Sequence, residues 1–356
     1  MTGKRQKHTG SSGVGRRKEE HLDLSLNGDV ENGAVSSGFE DYRFIHQALP
    51  ELDFDKIDTG ISIFGKKLTA PLMISPITGG TAGGGRLNLR LAKLARKKNI
   101  AMGIGSQRIA IEDGSFEESF KVRKTAPDIL LFANLGAVQL NCGFGPEQCK
   151  RAVDMIGADA LMLHLNPMQE VFQDGGDRDF SNLVRKTASI CKNVQFPVIV
   201  REVGFGISAD AAKMLVDAGV AGIDVGGAGG TSWIKIESRR SGDPVLKNIS
   251  KSFMDWGIPT AESLEMVSGA GSSIKIIASG GIRTGLDAAK AIALGADIAG
   301  AALPMLRAST EPAWKAGELI DGIIMGLKIA MFGIGASNIS GLKNNKYLVK
   351  KKGSHL

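Results

Sequence analysis

The sequence predicts the α/β class, a (β/α)8 TIM barrel with an N-terminal extension. Three observations carry this. Short apolar runs recur along the chain, with amphipathic segments of helical spacing between them. The runs near the C-terminus, 276–279 and 297–301, are each followed by a small-residue turn. Most runs end in one or two polar residues, as expected where a parallel barrel opens at its strand C-termini.

The 356 residues are enough for one large barrel or two domains. Hydrophobic content of 43% with 47 glycines suits a turn-rich enzyme, and no apolar run approaches the ~20 residues of a membrane span. The basic, polar start has no apolar core of a secretory signal. Cys142, Cys149 and Cys191 form no C-x-x-C pair and read as reduced thiols of a cytoplasmic protein. The net charge of +7 belongs to the ends. Without 1–18 and 343–352 the chain holds 33 basic and 37 acidic residues. Solvated termini are therefore favoured over a nucleic-acid surface.

In order, 1–15 is a disordered basic tail, 16–70 an extension with a hairpin, 71–342 the barrel and 343–356 a basic C-terminal tail. Residues 27–37 read as a loop and 38–50 as a short helix carrying Phe39, Tyr42, Ile45 and Leu49. Alternation over 58–68 predicts a hairpin turning at Gly65-Lys66, a cover for the barrel floor. Strands are expected near 72–77, 100–105, 129–134, 159–164, 197–202, 221–226, 274–279 and 297–301. Helices lie between them, for example at 87–98 and 209–218. The long polar connection 232–259 reads as a mobile lid.

The strand ends supply the candidate chemistry. Thr78 and Gly79 follow the first strand, Ser106, Gln107 and Arg108 the second, and Asn134 closes the third. His164, Asn166, Gln169 and Glu170 cluster after the fourth; Glu170 suits Mg²⁺, which binds through one or two carboxylates plus phosphate and water. Arg201 ends the fifth strand and suits negative charge on a planar ring. Glycines precede Thr231 after the sixth. Ser279, Gly280, Gly281 and Arg283 form the turn after the seventh, where a barrel of this kind holds phosphate. This pattern alone leaves FMN, nucleotide and sugar-phosphate barrels open. No histidine lies between His164 and His355, and no cysteine follows the sixth strand. The histidine base of a flavin hydroxy-acid oxidase and the cysteine of an inosinate-type dehydrogenase are therefore not supplied there.

Taken together, Arg17-Lys18-x-x-His21, Ile77-Thr78-Gly79-Gly80, Gly105-Ser106-Gln107-Arg108, Asn134-Leu135-Gly136, His164-x-Asn166-x-x-Gln169-Glu170, Glu202-Val203-Gly204, Gly229-Gly230-Thr231 and Ser279-Gly280-Gly281-Ile282-Arg283 resemble the type 2, FMN-dependent isopentenyl-diphosphate isomerases. The resemblance runs from about Arg17 through Lys343. It implies interconversion of isopentenyl and dimethylallyl diphosphates with reduced FMN and Mg²⁺, and NADPH as reductant. Ile77, Thr78, Gly79, Ser106, Asn134, Arg201, Thr231, Gly281, Ile282, Arg283, Ala302 and Leu303 would hold FMN. Arg17, Lys18, Ser106, Gln107, Arg108, His164, Asn166 and Gln169 would hold substrate, and Glu170 the metal. The flavin itself would handle the protons, with His164 and Asn166 in support. The family pattern also implies a homotetramer or homo-octamer. Two positions depart from it: Arg201 stands where lysine is usual, and Gly226 where serine is frequent. The alternative reading is another FMN-dependent barrel oxidoreductase.

Overall fold

Six consecutive buried residues in Leu131–Gly136 cannot form a strand with one wet face, so they must be covered on both sides. The computed structural model, which describes residues 11–271 and 274–351, shows how. Strands Tyr42–Phe44 (β1), Ile61–Ile63 (β2) and Lys66–Leu68 (β3) precede the barrel. The barrel strands are Leu72–Ile74 (β4), Ala101–Gly103 (β5), Leu131–Gly136 (β6), Ala160–Leu165 (β7), Val198–Glu202 (β8), Gly222–Asp224 (β9), Lys275–Ser279 (β10) and Ile298–Ala301 (β11). All pair in parallel, and β11 returns to β4 to close the sheet. Each lies within the expected stretch or runs at most two residues past it.

Two cores result. Met73, Phe132, Met162, Ile199, Ile277 and Ile298 fill the barrel, and Ile63 and Leu68 of the β2–β3 hairpin plug its floor. The larger core lies between strands and helices. Helix starts follow the local chemistry: the Thr81 hydroxyl accepts from Gly84 N before Ala82–Lys98, and Thr284 with Asp287 forms a capping box before Gly285–Ala293. The hairpin turn is Phe64-Gly65, both at positive φ, so Lys66 already belongs to a strand.

Four expectations are corrected. The N-terminal helix Ser11–Asn27 begins inside the stretch expected to be disordered; residues 1–10 lie outside the described residues. Residues 38–50 hold a single 3-10 turn, Phe39–Asp41, and then β1, because Tyr42–Phe44 pairs with Leu348–Lys350 (β12). Phe39 and Tyr42 are still buried, since a three-residue turn brings them to the same side. The C-terminal segment is thus docked through Lys350 and Lys351 rather than a free tail. The connection expected as a lid forms helices Trp233–Arg240 and Pro244–Ser250, capped by Ser232 and Asp243. Ile234 and Ile236 anchor the first of them.

Candidate active site

The pocket opens where the barrel strands end, and its two ends differ. At one end the turns after β9 and β10 stack backbone on backbone. A Cβ on Gly281 (φ 75°) would sit 2.7 Å from the Gly229 carbonyl, so only glycine permits this approach. Helix Leu303–Thr310 starts beside them, and the methyl of Ala302 at its cap position cannot hydrogen-bond the leading N–H groups. Thr231, Ile282 and Leu303 complete this cradle. The Arg283 guanidinium does not face it freely: it binds Glu31 at 2.6 Å and the Gly229 carbonyl at 3.1 Å.

Across the floor, in-register residues of neighbouring strands form a polar row. His164 pairs with Arg201, and Arg201 with Asp224. His164 Nδ1 lies 2.9 Å from Asn134 Oδ1. Burial, then the Arg201 and Lys18 cations, push His164 down to about 3, so it is neutral. Arg201 Nε lies 3.4 Å from Asp224 Oδ2, and the Ser279 hydroxyl donates to Asp224 Oδ1 at 2.6 Å. Burial raises Asp224, against the pull of Arg201 and Ser279. Glu202 points elsewhere. Its Oε2 accepts the backbone N–H groups of Val203, Gly204 and Phe205, tying the turn after β8. Burial pushes Glu202 up to about 8 despite those bonds.

At the other end the N-terminal helix forms a roof. Lys18 donates to the Ser106 carbonyl at 2.7 Å, and burial, aided by Arg17, lowers it to about 7. His21 Nε2 lies 2.9 Å from Glu237 Oε1, which also accepts from Gln169 at 3.1 Å. Arg240 joins Glu237 to Glu20. Burial works to raise Glu237, but His21, Gln169 and Arg240 outweigh it and leave the carboxyl below its ordinary value. Arg108 binds Glu112 and Asp177. Glu170 Oε1 accepts from Asn166, and Oε2 from Gln173 and the Asp177 N–H. Burial raises Glu170, against those hydrogen bonds and Arg17.

Most expected residues converge here; two do not. Gln107 is fully buried away from the pocket, donating to the Ala152 carbonyl and accepting from Asn134 N. It braces the Asn134 strand and is not placed to touch substrate. Gly79 (φ 154°) packs against Phe120, where a Cβ would meet the ring at 2.2 Å, and does not line the pocket. The sequence reading missed Ser75, Glu31 and Glu237 as lining or bracing groups. Only Ser75, one residue past β4, carried a local signal.

Ser75 Oγ and Asn166 Oδ1 are buried with no hydrogen-bond partner among the described residues, while Arg201 Nε has only its 3.4 Å ion-pair contact with Asp224. With the glycine cradle, they fit a planar group bearing a phosphate. Among those residues no cluster of three or more His, Cys, Asp and Glu is poised for a metal. Glu170 with the open Asn166 oxygen fits only a cation whose shell is completed by phosphate and water.

The family profile of FMN-dependent dehydrogenases matches residues 20–117 and 148–349. A mandelate oxidase structure superposes with a TM-score of 0.62 at 18% identity, covering 97% of this chain and 99% of that one, a likeness of fold. The class defined by barrel, cradle and profile is therefore the FMN-dependent α/β barrel. Closer relatives refine it. Isopentenyl-diphosphate delta-isomerases of Nostoc sp. and Synechococcus sp. are 47% and 50% identical over 329 and 321 residues, covering 92% and 90% of this chain. These matches span 94% and 92% of the relatives' own lengths, and the enzyme of Oceanobacillus iheyensis matches at 46%. The chain belongs to the isopentenyl-diphosphate delta-isomerase family.

Proposed function

We propose that this chain interconverts isopentenyl and dimethylallyl diphosphates with reduced FMN. The observation that carries the reading is the division of the pocket: a backbone cradle and Arg201 at one end, and Arg17, Lys18 and Arg108 around Asn166, Gln169 and Glu170 at the other. Reduced FMN, when bound, supplies the proton donor and acceptor near its N5. Thr78, Ser106, Asn134, Thr231, Gly281, Ile282, Ala302 and Leu303 would hold it, with Arg201 at the ring. Arg17, Lys18 and Arg108 neutralise the diphosphate, and Asn166 with Glu170 presents oxygens to Mg²⁺. With Nδ1 donating to Asn134, neutral His164 offers Nε2 only as an acceptor, so contact with phosphate requires it to take up a proton. The helical roof excludes water and fixes the substrate against the ring.

NADPH as external reductant and a homotetrameric or homo-octameric state belong to the same proposal. A reducing, cytoplasmic compartment is part of the same proposal, and no described helix is long and apolar enough to cross a membrane. The test is an assay from isopentenyl diphosphate with FMN, Mg²⁺ and dithionite. Dimethylallyl diphosphate should form only when the flavin is reduced. Turnover with oxidised flavin would overturn the reading. Steady NAD(P)H consumption with a hydroxy or carbonyl substrate would favour the barrel oxidoreductase.

A further inference from the structure

We infer that Asp224 is a positioning residue: its carboxylate faces the Nε side of the Arg201 guanidinium and sets how much positive charge β8 presents to the pocket. The inference rests on the flavin reading above.

The geometry is built on three adjacent strands. Arg201 on β8 and Asp224 on β9 are register partners, and Ile277 on β10 continues the row two residues before Ser279. Asp224 is fully buried. Its Oδ1 is held by the Ser279 hydroxyl at 2.6 Å and by Gly226 N at 3.3 Å, which leaves Oδ2 facing Arg201 Nε at 3.4 Å. Arg201 is 7% exposed and lines the pocket. Its contact with Asp224 is an ion pair without hydrogen-bond geometry, since neither Arg201 Nε nor Asp224 Oδ2 has a hydrogen-bond partner among the described residues, and it is the one ion pair the guanidinium makes there.

The neighbouring groups do not take over this role. Glu202 caps its own turn, and His164 is neutral. An ammonium at this position would have to divide one point charge between carboxylate and pocket. A guanidinium instead offers one edge to each. The carboxylate therefore tempers the field at the ring without occupying the donors that face it. Charge near the pyrimidine end of a flavin tunes both its reduction and nucleophilic addition at N5.

The test uses the full chain with FMN and no substrate. Three variants are compared with the parent: Asp224→Asn, Arg201→Gln and the double variant. The readouts are the flavin reduction potential, by equilibration with reference dyes, and the affinity of oxidised flavin for sulfite. Asp224→Asn should raise the potential and tighten sulfite binding on the order of tenfold. Arg201→Gln should do the opposite, and the double variant should return close to the parent. A single substitution strands a buried charge and can fail to fold, whereas a neutral pair is tolerated. The comparison of the double variant with Arg201→Gln then carries the test. Bound FMN with an unchanged potential and sulfite affinity in both comparisons would overturn the role of Asp224 alone. A parent protein that takes up no FMN would overturn the flavin reading, and this inference with it.

Discussion

Burial lowers the Lys18 ammonium to about 7, and the adjacent Arg17 cation adds to the shift. Above that pH the free site has lost the charge, and a bound diphosphate restores it. Lys18 and the neutral His164 should therefore take up protons when an anion binds. The bound state holds more protons, so affinity falls as pH rises above about 7. Calorimetry with inorganic pyrophosphate at pH 8, in buffers of different ionisation enthalpy, should show net uptake of about one to two protons. Lys18→Met should remove part of it, and no buffer dependence in the parent would sink the account. Some of these residues were legible in the sequence because strands end in polar side chains: Thr78, Ser106, Asn134, His164 and Arg201 all follow or close apolar runs. Glu237 and Glu31 were not. Glu237 meets Gln169 across 68 residues and Glu31 meets Arg283 across 252, and nothing local distinguishes either from a solvated acid. The glycine that stands at position 226, where the resembled family often has serine, has a steric reason here. With φ 47° and a Cβ position 1.9 Å from the Glu202 carbonyl, this backbone excludes any side chain.

At the scale of elements, the roof and the barrel divide the work. The helix Ser11–Asn27 reaches the pocket through Arg17, Lys18, His21, Leu22 and Ser25, while the cradle is built on the turns after β9, β10 and β11. Removing residues 1–27 should leave FMN bound but raise the KM for isopentenyl diphosphate on the order of a hundredfold, since two cationic contacts are lost. Flavin absorbance and steady-state kinetics read the two effects separately. An unchanged KM would deny the roof its role. The barrel strands could be read from sequence because runs buried on both faces are apolar throughout. Their ends were less clear: β4 stops at Ile74 rather than at 77, where Pro76 has no N–H for the ladder. Residues 38–50 misled because their outcome depends on β12, some three hundred residues away. Local spacing cannot report a partner at that distance.

For the whole molecule, the β1–β12 pair ties the extension to the C-terminal segment outside the barrel. Lys343 binds Asp297 at 2.8 Å, and Lys350 lies 5.6 Å from the Tyr42 ring. Ending the chain after Leu342 should lower the Tm by a few degrees, about 1–2 kcal/mol, and leave FMN binding intact. Calorimetry with a flavin titration checks both, and loss of FMN would show that the clasp shapes the pocket. The roof has a further consequence during synthesis. Its helix is made first, yet Glu20 finds Arg240 only 220 residues later. Closing a loop of that size is slow relative to local pairing. The nascent chain must therefore carry this helix undocked until Arg240 has been made, and the roof end of the pocket takes shape long after its own first residues have been synthesised.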